Sequence, residues 1–206
     1  EKRNRMISVV VPSYAPPVSY MAWLINQERI YWLTDSHYKK QTYRNRAYIY
    51  GANGRLSLII PVRHTPWRQH QKENEVQTDN DAQWQQLHWK SLEAAYRSSP
   101  FFEFYEDALA PLYHTQTTRL YEFNRSLLNV LFDLLEIKLP QEEVSLDFSY
   151  QQLNESLLNA KKETPLYTPY AQVFDSKYGF LNDLSTLDLL FNLGPEAKTY
   201  LQQCPN

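Results

Sequence analysis

The sequence predicts an α/β fold, in which an N-terminal βαβ unit plus a hairpin forms a small, mostly parallel or mixed sheet, followed by a helical C-terminal part. Three observations predict it. Two apolar runs, Ile7–Val11 and Ile30–Leu33, flank a stretch with Tyr20, Trp23 and Leu24 on one helical face. Strand, helix and strand in so short a span favour a parallel pair. Asn53-Gly54 stands between two further apolar runs, which is a hairpin signal because both residues tolerate positive φ. From Asp81 onward the apolar period becomes helical.

Ile7–Val11 is β-branched and ends at Pro12, so it reads as a buried first strand. Pro12 to Pro17 holds three prolines and must be a loop. Ser19 is positioned to cap a short helix through Gln27, and Ile30–Leu33 is the second strand. Arg46–Tyr50 and Leu56–Val62 are the hairpin strands. His64 to Asp79 is polar and reads as a loop, with Val76 a candidate for a short edge strand. Trp84, His88, Leu92 and Ala95 fall at i, i+4, i+8 and i+11 of a helix that ends near Ser98-Ser99-Pro100. Phe101–Leu112 is an aromatic helix that Pro111 is expected to break. Thr118 is the expected cap of a third helix to Glu136, which Pro140 follows. The span Glu142–Pro169 reads as loop with a marginal helix near Leu153–Lys162, and Tyr170–Phe174 as a strand. Ser185 or Asp183 caps a last helix to Asn192, which Gly194-Pro195 stops. The chain divides into a strand-rich part, 1–80, and a mainly helical part, 81–206, within one domain.

Composition removes several function classes. A formal charge of −2 at pH 7 disfavours wholesale nucleic-acid binding. No apolar run is long enough for a membrane span, and Ile7–Val11 is too short for a signal-peptide core. The single cysteine, Cys204, allows no internal disulfide and fits a cytoplasmic protein. His64 and His70 lack metal-ligand spacing, so no metal is expected. Walker, GxGxxG, GxSxG and HExxH motifs are absent. The 16 tyrosines serve either a core short of Ile and Val or a surface that binds sugars, peptides or partners.

In a parallel sheet, ligands gather beyond the carboxyl ends of the strands. Tyr14 follows the first strand; Asp35, His37, Tyr38, Lys40, Asn45 and Arg46 follow the second. Asp35 or His37 could act as a base. Lys40 and Arg46 suit a phosphate or carboxylate, and the Tyr14 and Tyr38 rings suit stacking. The alternative is an Asp35–Arg46 ion pair that ties the loop down. His88 lies on an apolar stripe and reads as a hydrogen-bonded core histidine. Asp188 sits beside Leu184, Leu187 and Phe191 and needs a partner, either a substrate group or Lys40 or Arg46.

These residues together resemble the WbqC-like protein family. Pro12-Ser13-Tyr14-Ala15-Pro16 with Tyr20 is similar to the family's P-x-Y-x-P…Y opening, and Asp35, Tyr38, Lys40, Asn45 and Arg46 to its D-x-x-Y-x-K…N-R element. Leu58–Val62 resembles its L-T-V-P-V strand. Trp84, His88, Leu92, Tyr96, Pro100 and Phe102 resemble its W…H…L…Y…P-x-F helix. Leu184 through Glu196 resembles the closing L-S-x-L-D-L-L-F-N-x-G-P-E. Departures are Val10-Val11 for His-Gln, Pro17 for Trp and His37 for Gln. A glycine-containing S-G-x-G-x-x-Y-L segment is also missing between Ser145 and Tyr170.

The resemblance implies a transferase acting on a sugar or activated-sugar intermediate in surface-polysaccharide biosynthesis, adding an aminoacyl or acyl group. Its expected ligand is a small molecule or nucleotide-sugar; no cofactor is identified, and homo-oligomerisation is left open. A second reading is a non-catalytic binding or assembly protein whose contact face lies on the Phe101–Tyr113 helix. A third, by fold analogy alone, is a HIGH-type nucleotidylyltransferase, whose HxGH signature is absent.

Overall fold

A computed structural model describes residues 6–66, 70–146, 150–151 (backbone only) and 155–205. The chain begins with β1 (Ile7–Val10), α1 (Val18–Ile25) and β2 (Arg29–Trp32). β1 and β2 pair in parallel, Ser8 opposite Ile30 and Val10 opposite Trp32, so the expected βαβ unit is present. Every residue of β1 is buried, as befits a central strand. Its helix buries Val18, Tyr20, Met21, Ala22 and Leu24. The Tyr20 hydroxyl also donates to the Val11 carbonyl at 2.7 Å.

The next pair, β3 (Arg46–Gly51) and β4 (Gly54–Ile59), is antiparallel and forms its own two-stranded sheet. The turn departs from the expected geometry in one respect. Its two central residues are Ala52 and Asn53, and of the Asn-Gly pair only Gly54 takes positive φ, at 104°.

Helices α2 (Trp84–Tyr96), α3 (Phe102–His114) and α4 (Leu120–Leu134) follow. α3 runs unbroken through Pro111. The one hydrogen bond that proline forfeits would have gone to Asp107, an exposed residue. Its aromatic side chains mostly face inward: Phe102, Tyr105 and Tyr113 are buried, and Phe104 is 74% exposed. Thr118 does not cap α4. Arg119 holds the N-cap position, and the Leu120 N–H bonds to the Val76 carbonyl at 3.2 Å. Val76 is buried but belongs to no bridge; the next two residues do, Gln77 with Arg119 and Thr78 with Val62.

The later chain returns to the first sheet. β5 (Gln141–Glu142) pairs with β2, and β6 (Tyr150–Gln151) with β1, both in parallel. The order across this sheet is β5-β2-β1-β6. A single 3₁₀ turn, Glu155–Leu158, stands where the marginal helix was expected. Tyr170–Phe174 is not a strand: its backbone pairs with no strand among the described residues, and the Tyr170 and Gln172 side chains bond to Asp188. The chain closes with α5 (Asp175–Tyr178), α6 (Thr186–Leu193) and α7 (Glu196–Gln203). Ser185 caps α6, its hydroxyl accepting the Leu187 N–H at 3.2 Å. Gly194 ends α6 at a φ of 56°, and α7 starts beyond Pro195, an element the sequence reading did not contain. One apolar core runs through both parts of the chain, from Val10 on β1 to Leu201 on α7. Among the described residues no helix is long and apolar enough to cross a membrane.

Candidate functional site

Because β1 and β2 run parallel, the segments that leave them emerge on the same edge of the sheet. They meet there. The Tyr14 N–H and the Ser13 hydroxyl both reach the Tyr43 carbonyl, at 2.8 and 3.1 Å, and the Leu33 N–H reaches Val10 at 2.8 Å. The closing segment clamps the first of these loops. Thr186 gives both its N–H and its hydroxyl to the Pro16 carbonyl, each at 2.8 Å, and the Val18 N–H bonds to Leu184 at 3.0 Å. Ala15 is held inside this clamp at a φ of 36°, a strained value for a residue with a side chain.

Tyr14 and Asp188 lie in the interior with their polar atoms engaged. The Tyr14 hydroxyl contacts His88 Nδ1 at 2.8 Å and the Tyr113 hydroxyl at 3.0 Å. His88 Nε2 faces the Ile59 carbonyl at 3.1 Å. That carbonyl can only accept, so Nε2 carries the proton and Nδ1 accepts from Tyr14. Burial lowers the His88 pKa to about 4, which leaves the ring neutral. His88 is thus the hydrogen-bonded core histidine its helical stripe suggested. Asp188 accepts from the Tyr170 hydroxyl at 2.6 Å, the Tyr96 hydroxyl at 2.8 Å and Gln172 Nε2 at 3.0 Å. Burial raises its carboxyl above the usual range, and these three donors oppose the rise. Neutral donors therefore occupy the place considered for Lys40 or Arg46.

Asn45 is buried and its amide donates to the Ile60 carbonyl at 3.0 Å. Arg46 is half-buried and donates from Nη1 to the Tyr48 hydroxyl at 3.3 Å. Asp35, His37 and Lys40 are exposed. His37 bridges to Lys72 through its backbone, and its ring lies edge-on to His70 at 5.3 Å between centroids. Tyr38 is half-buried, and burial pushes its hydroxyl well up, with Glu73 adding to the rise and Arg44 opposing it.

A buried ion pair of this region was missed by sequence reasoning. Arg44, 1% exposed, donates from Nε to Glu73 at 2.5 Å and from Nη2 to Glu155 at 3.3 Å. Its backbone carbonyl accepts from the Asn124 amide at 2.7 Å. Glu73 is buried, and desolvation raises its carboxyl although Arg44 pulls the other way. Arg44 stands one position before Asn45-Arg46, but no spacing rule ties it to a carboxylate 29 residues later.

Tyr38 and Lys40 come together with Arg63, His64, Thr65 and Gln71 around a cleft of about 180 Å³. The Tyr38 N–H bonds to the Gln71 carbonyl at 2.8 Å, and the Arg63 N–H to Gln77 at 2.9 Å, which fixes the two walls. Among the described residues no carboxylate lines the cleft. An ammonium, a guanidinium and an imidazole around so small a space suit an anion.

Residues 12–165 match the WbqC-like protein family. A protein of Mycobacterium tuberculosis (strain ATCC 25618 / H37Rv), described as uncharacterized protein Rv1507c, is 28% identical over 233 residues, covering 97% of this chain and 99% of that protein. The alignment is longer than this 206-residue chain, so the relative carries segments that are absent here. No solved structure matches. The matched span covers about three quarters of the chain and includes the Pro12–Pro16, Asp35–Arg46 and Trp84–Phe102 motifs, and the protein belongs to the WbqC-like protein family.

Proposed function

We propose that this protein is a transferase acting on a sugar or activated-sugar intermediate in surface-polysaccharide biosynthesis, and that the Lys40 cleft holds the anionic part of its ligand. The supporting observation is the composition of that cleft. Tyr38 and Lys40, from the family's D-x-x-Y-x-K element, share it with Arg63 and His64, and among the described residues no carboxylate lines it. A phosphate there would meet Lys40 as a point charge and Arg63 as a planar fork.

Asp35 and His37 stand on the exposed segment that leads into the cleft. Either can take the proton from an acceptor hydroxyl or amine as that group attacks the carbonyl carbon of an activated acyl or aminoacyl donor. The donor's leaving group then departs with its bonding electrons. Tyr38 would support the sugar or base with its ring, and Arg46 and Asn45 would hold the segment in place from the hairpin side.

Calorimetry with a panel of nucleoside diphosphates, nucleotide-sugars and inorganic phosphate tests the reading. Binding by at least one anion is expected. Lys40→Ala and Arg63→Ala should each weaken it by about tenfold, the loss of one charge-assisted contact, with the melting temperature little changed. Silence across the panel, or affinity indifferent to both substitutions, refutes it.

A further inference from the structure

A second cavity, of about 260 Å³, lies on the same edge of the parallel sheet and shares no lining residue with the Lys40 cleft. Its position follows from the strand order. In β5-β2-β1-β6 the chain leaves β1 toward β2 through α1, whereas β6 lies on the other flank of β1. The direction of connection reverses between β1 and β6, and the carboxyl side of such a reversal is where open α/β sheets form ligand crevices. One wall of the cavity is α1, which follows β1; another is the 3₁₀ turn Glu155–Leu158, which follows β6. Tyr43 closes the floor, its N–H bonded to the Leu158 carbonyl at 2.9 Å.

The lining has a definite chemistry. Half-buried Trp23 contributes an aromatic face, backed by the buried rings of Tyr43 and Tyr167. Asn159, Thr164 and Lys162 contribute an amide, a hydroxyl and an ammonium. Behind Ser19 stands the buried carboxylate of Asp183, which accepts both the Ser19 N–H and the Ser19 hydroxyl at 2.8 Å. The Thr164 hydroxyl also bonds to that carboxylate, so Asp183 is spent on Ser19 and Thr164. Lys162 donates to Ser156 at 3.0 Å, which uses one of its three protons.

We propose that this cavity is a binding site for a single pyranose ring. An aromatic face such as that of Trp23 packs against the C–H face of a sugar, while the Asn159 amide and the Lys162 ammonium meet its hydroxyls. The volume lies just below the roughly 300–1,000 Å³ of clefts that hold drug-sized ligands, and so fits one ring rather than a nucleotide-sugar. The argument uses only the walls of this cavity and does not depend on what the Lys40 cleft binds.

Saturation-transfer NMR on the full chain tests it, with glucose, N-acetylglucosamine and rhamnose as probes and adenosine and uridine as flat aromatic competitors. At least one pyranose should receive saturation and quench tryptophan fluorescence. Trp23→Ala, and independently the exposed Asn159→Ala, should each lower that pyranose's affinity by about tenfold. Lys40→Ala should leave it unchanged, which separates this site from the anion cleft. The proposal is overturned if no pyranose binds, if only the nucleosides bind, or if binding survives Asn159→Ala and a folded Trp23→Ala unaltered.

Discussion

His88 should make this fold sensitive to acid, by an amount that can be worked from its surroundings. The ring is 6% exposed and neutral, donating to Ile59 and accepting from Tyr14. Its pKa falls from 6.5 to about 4 on folding. The unfolded chain therefore binds the proton more readily, so stability is intact above the unfolded value and is lost as pH falls toward the folded one. The loss is about 2 kcal/mol at pH 5 and about 3 kcal/mol at pH 4. Burial holds Glu73, Asp183 and Asp188 above their usual ranges, and these groups act with the opposite sign, favouring the fold at low pH. A difference between two proteins removes that background. In His88→Gln the amide can still donate to Ile59 and accept from Tyr14, but it does not titrate. Urea denaturation of both proteins from pH 7.5 to 4 should show wild type losing about 3 kcal/mol more than the variant. Parallel stability curves for the two would refute the assignment of a neutral, depressed His88.

Three further outcomes are expected. Asp188→Ala leaves the Tyr96, Tyr170 and Gln172 donors without their acceptor in a closed interior; chemical denaturation should show a loss on the order of 3–6 kcal/mol, with Asp188→Asn milder because it keeps one acceptor oxygen. Arg44→Ala strands the buried Glu73 carboxylate and should cost about 3–5 kcal/mol, whereas an Arg44→Met/Glu73→Leu pair should recover most of it, a comparison that calorimetric melting can make. Gly194→Ala would set a Cβ 2.6 Å from the Phe101 ring at a φ of 56°, and a fall of about 1–3 kcal/mol in unfolding free energy is expected.

Much of the architecture was legible because it rests on local chemistry. The β-branched run at Ile7, the prolines that stop it and the short helix before Ile30 specify a parallel βαβ unit without reference to the rest of the chain. The stripe of Trp84, His88, Leu92 and Ala95 specifies a buried helix face, and all four are buried. Where a property depends on a distant partner, the same reading runs out. Tyr170–Phe174 has the composition of a strand, yet a strand needs a backbone partner, and none of the described strands lies beside it.

The candidate site divides along the same line. Strand direction alone sends the segments after β1 and β2 to one edge, and the sequence was enough to say so. Which side chains remain available at that edge is a matter of packing. Tyr14 turns inward because His88 and Tyr113 offer its hydroxyl partners from 74 and 99 residues away, while Tyr38 and Lys40 stay at a cleft completed by Arg63 and His64. The pairing of Arg44 with Glu73 was hidden for the same reason. By itself the sequence determined the parallel βαβ unit, the hairpin, the striped helices and the edge at which the segments after β1 and β2 emerge, since periodicity, turn residues and strand polarity are short-range properties. Only the tertiary structure decided which polar groups are spent on one another and which stay at the cleft, because that depends on contacts between residues far apart in the chain.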